Sequence, residues 1–277
     1  MTKPTLISAG SGGVLNVGIS VSDSADLDRL GLTSQHCNFA IAELSRAILL
    51  AGGAIVSGGR IKPEGFVQVI MDEVRRYGGE GNALTICLAE SVHRKMTDED
   101  IADVVARLDI SATLVCLDLD GREVDHRHRP PAPEVIDGPT ALTAMRRAIT
   151  ARSDARVLVG GQLSNYEGTM PGIIEEALLS LKSGKPLYIA GGFGGAAAAV
   201  ARALDRDVPG WAPPGFPAGI DRAAGPLREL VEAAQADGAI APDGLSEHER
   251  QQLAMTHRPG DVATLVVTGL TRLAGRT

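Results

Sequence analysis

The stretch 145–197, MRRAITARSDARVLVGGQLSNYEGTMPGIIEEALLSLKSGKPLYIAGGFGGAA, decides the fold. A helical pattern at 141–151 leads into an apolar run at 155–159 and a glycine pair. A second helix at 172–182 leads into another apolar run at 186–190, a second glycine pair, and an Ala-rich helix at 194–204. Short apolar runs too brief to be helices, alternating with helical periodicity, specify βαβ units and a parallel sheet.

The same alternation extends upstream. The β-branched run 14–21 suits a central strand, and a helix capped by Ser34 keeps Cys37, Ile41, Leu44 and Ile48 on one face. Strands follow at 54–57, 84–89 and 112–119. A helix carries Phe66, Ile70 and Val74, and another at 97–107 opens on the capping-box pattern of Thr97 and Asp100. The polar, Pro-rich segment 122–139 interrupts the alternation, and the four-proline segment 208–219 reads as a loop. Helices are predicted at 227–234, 247–254 and 262–273. The expectation is a Rossmann-like, doubly wound α/β fold with a mainly parallel sheet. It forms a single domain over 1–277, with a core at about 14–205 and a helical extension at 206–277.

Composition bounds the function. The apolar fraction is 44% and the aromatic fraction 3%, so aliphatic side chains must fill the core, and base-stacking platforms for single strands are not expected. A formal net charge of −7 argues against DNA, RNA or an anionic membrane as partner. No apolar stretch approaches the roughly 20 residues that span a bilayer, and no secretory signal opens the chain. Cys37, Cys87 and Cys116 are odd in number and widely spaced, so they read as buried thiols in a reducing compartment. A cytoplasmic protein is expected, with no cofactor and no metal. His126 and His128 lie in a Pro-rich loop without a supporting ligand set, and His36, His93, His248 and His257 form no recognisable constellation.

Three predicted strands end alike: Ser57-Gly58-Gly59, Val159-Gly160-Gly161 and Ala190-Gly191-Gly192. In a parallel sheet these ends share the edge where open α/β folds bind ligands. Glycine there lets backbone approach a ligand, and the following helix points free N–H groups at the same space. The spacings match neither the dinucleotide fingerprint nor the P-loop. Tight turns alone would also place glycine at these positions.

A Met-Arg helix, a strand ending Gly160-Gly161, a loop with Gly168-Thr169, and Glu175-Glu176 on the next helix together resemble the SLOG superfamily. That superfamily includes lonely-guy phosphoribohydrolases, DprA/Smf proteins and nucleotide-sensor domains. The lonely-guy pattern Pro-Gly-Gly-x-Gly-Thr-x-x-Glu is altered here: Val159 replaces the proline, and the loop from Gly160 to Gly172 is longer. The chain is more similar to sensor-type SLOG domains that accompany TIR domains in bacterial defence. The similarity lies in Ile19 to Ser22, Gly58-Gly59 with Gly65-Phe66, Met170-Pro171-Gly172-Ile173, and Gly191-Gly192-Phe193-Gly194-Gly195.

The resemblance implies Arg146 at a phosphate or ribose and Glu175 or Glu176 as the catalytic carboxylate, with periodicity unable to choose between the glutamates. A solvated arginine and an ordinary acidic first helical turn are the bland alternatives. Ligand contacts are expected from Ser20, Ser22, Ser57, Gly58, Gly59, Arg60, Gly160, Gly161, Gln162, Gly168, Thr169, Met170, Pro171, Gly172, Gly191, Gly192, Phe193 and Gly194. Asp23, Asn165 and Tyr166 are further candidates.

The functional expectation is sensing of a nucleotide-derived small molecule, ADP-ribose-like or a cyclic nucleotide, in antiphage defence and with a separate effector protein as partner. The alternative is a hydrolase that cleaves the N-glycosidic bond of a nucleoside monophosphate; a scaffold with an empty glycine edge is the third class. The resemblance also implies a homodimer or larger homo-oligomer. Two apolar stripes, the run Ala196 to Ala201 and the C-terminal Val262, Leu265, Val266, Leu270 and Leu273, suggest surfaces for it.

Overall fold

The computed structural model describes residues 8–9, 13–79, 81–108, 111–127, 136–207, 209–236 and 240–275. Its main sheet has seven strands: β1 (Asn16–Ser22), β2 (Ala54–Gly58), β3 (Leu84–Leu88), β4 (Ala112–Leu117), β5 (Glu123–Val124), β6 (Ala155–Gly160) and β7 (Leu187–Ala190). The strand order is β5-β4-β3-β2-β1-β6-β7, parallel throughout except for the antiparallel edge pair β4–β5. The predicted doubly wound, mainly parallel sheet is therefore what forms. The chain winds outward from β1 to β4, then crosses back so that β6 pairs with the other side of β1. The topological switch falls between β1 and β2 on one side and β6 on the other, with Ser22 opposite Gly160.

Alternate residues of the buried strands feed opposite faces, as pleating demands. Val17, Ile19, Val157 and Val159 join one core with α1 (Ser34–Leu50), α2 (Phe66–Tyr77), α4 (Asp98–Leu108) and α10 (Pro259–Ala274). On the other face lie α3 (Glu90–His93), α5 (Gly138–Arg152), α6 (Gly172–Lys182), α7 (Gly195–Ala203) and α8 (Ala224–Ala234). Helix α9 (Glu247–Met255) packs on β7 at the sheet's end.

Two short elements escape periodicity. Helix α3 is one turn long, and β5 is a two-residue strand inside the segment expected to be an excursion; residues 128–135 of that segment, His128 included, lie outside the described residues. The cap of α1 is Thr33, one residue before Ser34, with His36 completing a capping box. The Thr97–Asp100 box forms as read, Asp100 accepting from the Thr97 N–H at 2.7 Å.

Both stripes proposed for self-association face the chain's own core. Ala196 to Ala201 are at most 3% exposed, and Val262, Leu265, Val266 and Leu270 are buried against α1. The physical motive for a partner thus disappears, because the apolar area is already removed from water within one chain. No helix among the described residues is long and apolar enough to cross a membrane.

Candidate functional site

The three glycine turns do share one edge, but they differ in what fills them. The third is closed by the protein itself. A Cβ on Gly191 would stand 2.5 Å from the Ala254 carbonyl, and one on Gly192 would overlap the backbone of Thr256 and His257. Gly194 adopts φ +76° against the Asp26 side chain, and Phe193 is fully buried. Asp26, also fully buried, accepts from the Gly195 N–H at 2.9 Å and the Ala218 N–H at 2.9 Å, and from Arg29 at 2.8 Å. A carboxylate from the chain therefore occupies the positive end of α7 that a ligand anion would need. Gly191, Gly192 and Gly194 pack against the chain's own backbone and the Asp26 side chain, and Phe193 is buried beside them.

The second turn is close-packed. Gly160 and Gly161 take φ +64° and +102°, and a Cβ on Gly161 would sit 2.7 Å from Ile173 Cδ1 and 2.9 Å from Ala196. The Gly161 N–H donates to the Ser22 carbonyl at 2.8 Å, and its carbonyl accepts from Ala196 at 3.0 Å. This turn brings α6 and α7 against the end of β1.

The first turn stays open. Ser57 is buried and Gly58 admits Met145 and Ile149 of α5, whereas Gly59, at φ +122°, has nothing within 4 Å of a would-be Cβ. Beyond it, α2 begins at Gly65 without a side-chain cap and without an acid in its first turn. Arg60 donates to both carboxylate oxygens of Glu167, at 2.9 and 3.0 Å, joining this turn to the loop after β6. Gln162, Asn165 and Thr169 of that loop are exposed, and Asn165 adopts φ +57°. At the end of β1, Asp23 Oδ1 is buried without a hydrogen-bond partner, an acceptor left unmatched beside the switch point.

The helices α5 and α6 bring the resemblance-derived residues together. Arg146 pairs with Glu175 Oε2, the two side chains only 11% and 7% exposed, and the Thr143 hydroxyl donates to Glu175 Oε1 at 2.6 Å. The guanidinium lies where side chains on Gly168 and Gly172 would stand: a Cβ on Gly168 would be 2.7 Å from Nη1. A side chain at either loop position would have to displace the guanidinium. Thr143, Arg147, Thr169, Met170 and Glu175 all line one groove of about 890 Å³ between α5 and α6. Pro171 is the buried N-cap residue of α6.

Glu176 turns the other way, with Oε1 3.7 Å from Arg156 Nη1. Arg156 is 1% exposed within β6, and its three nitrogens donate to Ser180 Oγ at 3.0 Å, Ser20 Oγ at 3.0 Å and Thr150 Oγ1 at 2.8 Å. Ser20, expected among the ligand contacts, is buried and accepts from the Arg156 guanidinium. Sequence reasoning passed over Arg156, although an arginine inside the apolar run of β6 is a signal: such a charge is almost never fully buried unless paired. Burial lowers the guanidinium's pKa, opposed by the charge of Glu176. The clasp ties β1 to α5 and α6, and those two helices carry Arg146 and Glu175.

All three cysteines are buried. Burial, with Asp23 nearby, pushes Cys37 up to about 12, and burial pushes Cys87 up to about 11.

The profile of the SLOG cluster2 family matches residues 13–253, reaching beyond the motif-bearing core into α9. Comparison with curated proteins and with solved structures gives no match. The sheet order, the glycine edge and a profile that spans most of the sequence agree: the chain belongs to the SLOG cluster2 family.

Proposed function

We propose that the chain binds a nucleotide-derived small molecule, of the ADP-ribose-like or cyclic-nucleotide class, and acts as a sensor of the kind found beside TIR domains in bacterial defence. The observation that carries this reading is the shared groove. Side chains from α5, from the loop after β6 and from α6, distant in sequence, converge on one cavity of about 890 Å³ whose polar lining includes Arg147, Arg152 and Lys182, the hydroxyls of Thr140, Thr143 and Thr169, and the carboxylates of Asp120, Glu175 and Glu229. Family membership supports nucleotide-related binding or processing in general. Arg147 has no ion-pair partner among the described residues, so its guanidinium is available to a phosphate.

Binding is favoured over turnover because both oxygens of Glu175 are engaged, one by Thr143 and one by Arg146. The hydrolase alternative keeps one specific support: Glu175 lines the same groove, where it would steady an oxocarbenium-like transition state. In that reaction water adds across the glycosidic bond, releasing a free base and a sugar phosphate.

Calorimetry with a panel of ADP-ribose derivatives and cyclic nucleotides tests the first reading. Saturable heat that is lost in Arg147→Ala is expected, and no binding at high micromolar concentration refutes it. Chromatography for free base after incubation with nucleotides tests the second; release that survives both Glu175→Gln and Glu176→Gln overturns the chemistry. As a sensor, the protein passes its signal to a separate effector chain, and the resemblance also leads us to propose a homo-oligomer.

A further inference from the structure

The chain has one tryptophan, and the nucleotide groove does not use it. Trp211 lies in the four-proline loop, 49% exposed, with its ring edge-on to His257 at 5.0 Å between centroids. A large aromatic left half in water is costly and is commonly a contact surface. Here it forms one wall of a second cavity, about 530 Å³, whose other walls include His248, Gln252, Met255, His257 and Arg258. That volume lies within the range of small-molecule sites. The two cavities share no lining residue.

The walls are held firmly. The turn between α9 and α10 rests directly on Gly192, the Thr256 hydroxyl donates to Asp261 at 3.2 Å, and the Arg258 N–H donates to Thr256 Oγ1 at 3.1 Å. His257 Nδ1 is buried without a partner, and burial, with Arg258 and His36 adding to it, lowers the pKa of the ring, which keeps the imidazole neutral at pH 7. Among the described residues, the side chains of Gln252 and Arg258 have no protein partner. The cavity thus offers an aromatic face, the soft thioether of Met255, a neutral amide and an uncommitted cation.

We propose that this cavity is a second ligand site for a planar purine-type base carrying an anionic substituent. The ring packs on Trp211 and Met255, because base–aromatic stacking needs only a π-face. The Gln252 amide, donor and acceptor side by side, matches the paired acceptor and donor on an adenine edge. Arg258 takes the anion.

The test uses the full chain and Trp211 fluorescence, which reports this cavity alone because no other tryptophan contributes. The probes are adenosine monophosphate, adenosine, ribose 5-phosphate and inorganic phosphate, with excitation at the red edge of the indole band. Saturable quenching by adenosine monophosphate is expected, weaker for adenosine and absent for the two phosphates that lack a base. By calorimetry, Trp211→Ala is expected to weaken the site at least tenfold while Trp211→Phe retains it, and Arg258→Ala brings adenosine monophosphate down to the affinity of adenosine. Arg147→Ala, which disables the groove, leaves the quenching unchanged, so failure of one site is distinguishable from failure of the other. Absence of saturable quenching up to millimolar purine, or equal quenching by ribose 5-phosphate, overturns the proposal. Affinity unaltered by both Trp211→Ala and Gln252→Ala does the same.

Discussion

Replacing Arg156 by methionine tests whether the buried clasp holds the candidate site together. The substitution keeps much of the side-chain length but removes a cation that is 1% exposed and stands 3.7 Å from Glu176. Of its three hydroxyl acceptors, Ser180 and Thr150 keep their own donations, to the carbonyls of Glu176 at 2.8 Å and Arg146 at 2.9 Å. The main cost is therefore a largely buried Glu176 carboxylate without its counter-charge, plus the stranded Ser20 hydroxyl. Breaking a buried pair from one side costs about 3–5 kcal/mol. With a urea dependence of roughly 3 kcal/mol/M, the unfolding midpoint falls by on the order of 1 M at unchanged slope. The double variant Arg156→Met/Glu176→Gln removes both charges and is expected to recover about 1–3 kcal/mol relative to additivity. A single-variant midpoint within about 0.3 M of the parent, or strict additivity in the double variant, refutes the electrostatic reasoning.

Three further outcomes are expected. Gly192→Ala, whose added carbon meets the backbone of Thr256 and His257, destabilises the protein far more than Gly59→Ala, whose cost is only backbone strain of about 1–3 kcal/mol; equal urea midpoints would show that the third turn is not closed as described. Glu249, held by Arg272 and by the Ser246 cap, has a folded pKa of about 2, below its ordinary 4.5. Its contribution is therefore complete above about 4.5 and is lost as pH falls toward about 2, so the stability gap between parent and Glu249→Gln narrows over that window; a gap independent of pH there contradicts the linkage. Light scattering at micromolar concentration is expected to give a mass of at least two chains, and a mass near one chain refutes self-association.

The fold was legible because each strand–helix unit repeats the same physical demand. A doubly covered strand such as 155–160 is apolar on both faces except at Arg156, and the helix after it must return its stripe to the sheet, so periodicity separates them. Elements without that demand were missed: β5 is two residues at an edge, and α3 is a single turn. The residues of the site were legible only in part. Arg146 and Glu175 were named from resemblance, but the choice between Glu175 and Glu176 required three dimensions, since both flank the apolar stripe of α6. What separates them is a second arginine, Arg156, reaching across from β6.

The glycine pairs carry the sharper lesson, because identical dipeptides at identical strand ends have unlike roles. At Gly191-Gly192 the missing side chains admit the backbone of Ala254 and Thr256, and at Gly161 they admit Ile173 and Ala196. Only Gly59 opens onto empty space. Sequence supplies the glycine in each case, yet what occupies the vacated volume comes from residues tens of positions away. The helix ends follow the same logic: α7 is capped by Asp26 from beyond β1, whereas α2 begins without a side-chain cap. Two of the three turns are closed from within, and the open first turn is tied to the loop after β6 by the Arg60–Glu167 pair. That tie is exposed at both ends, so it is worth little in stability.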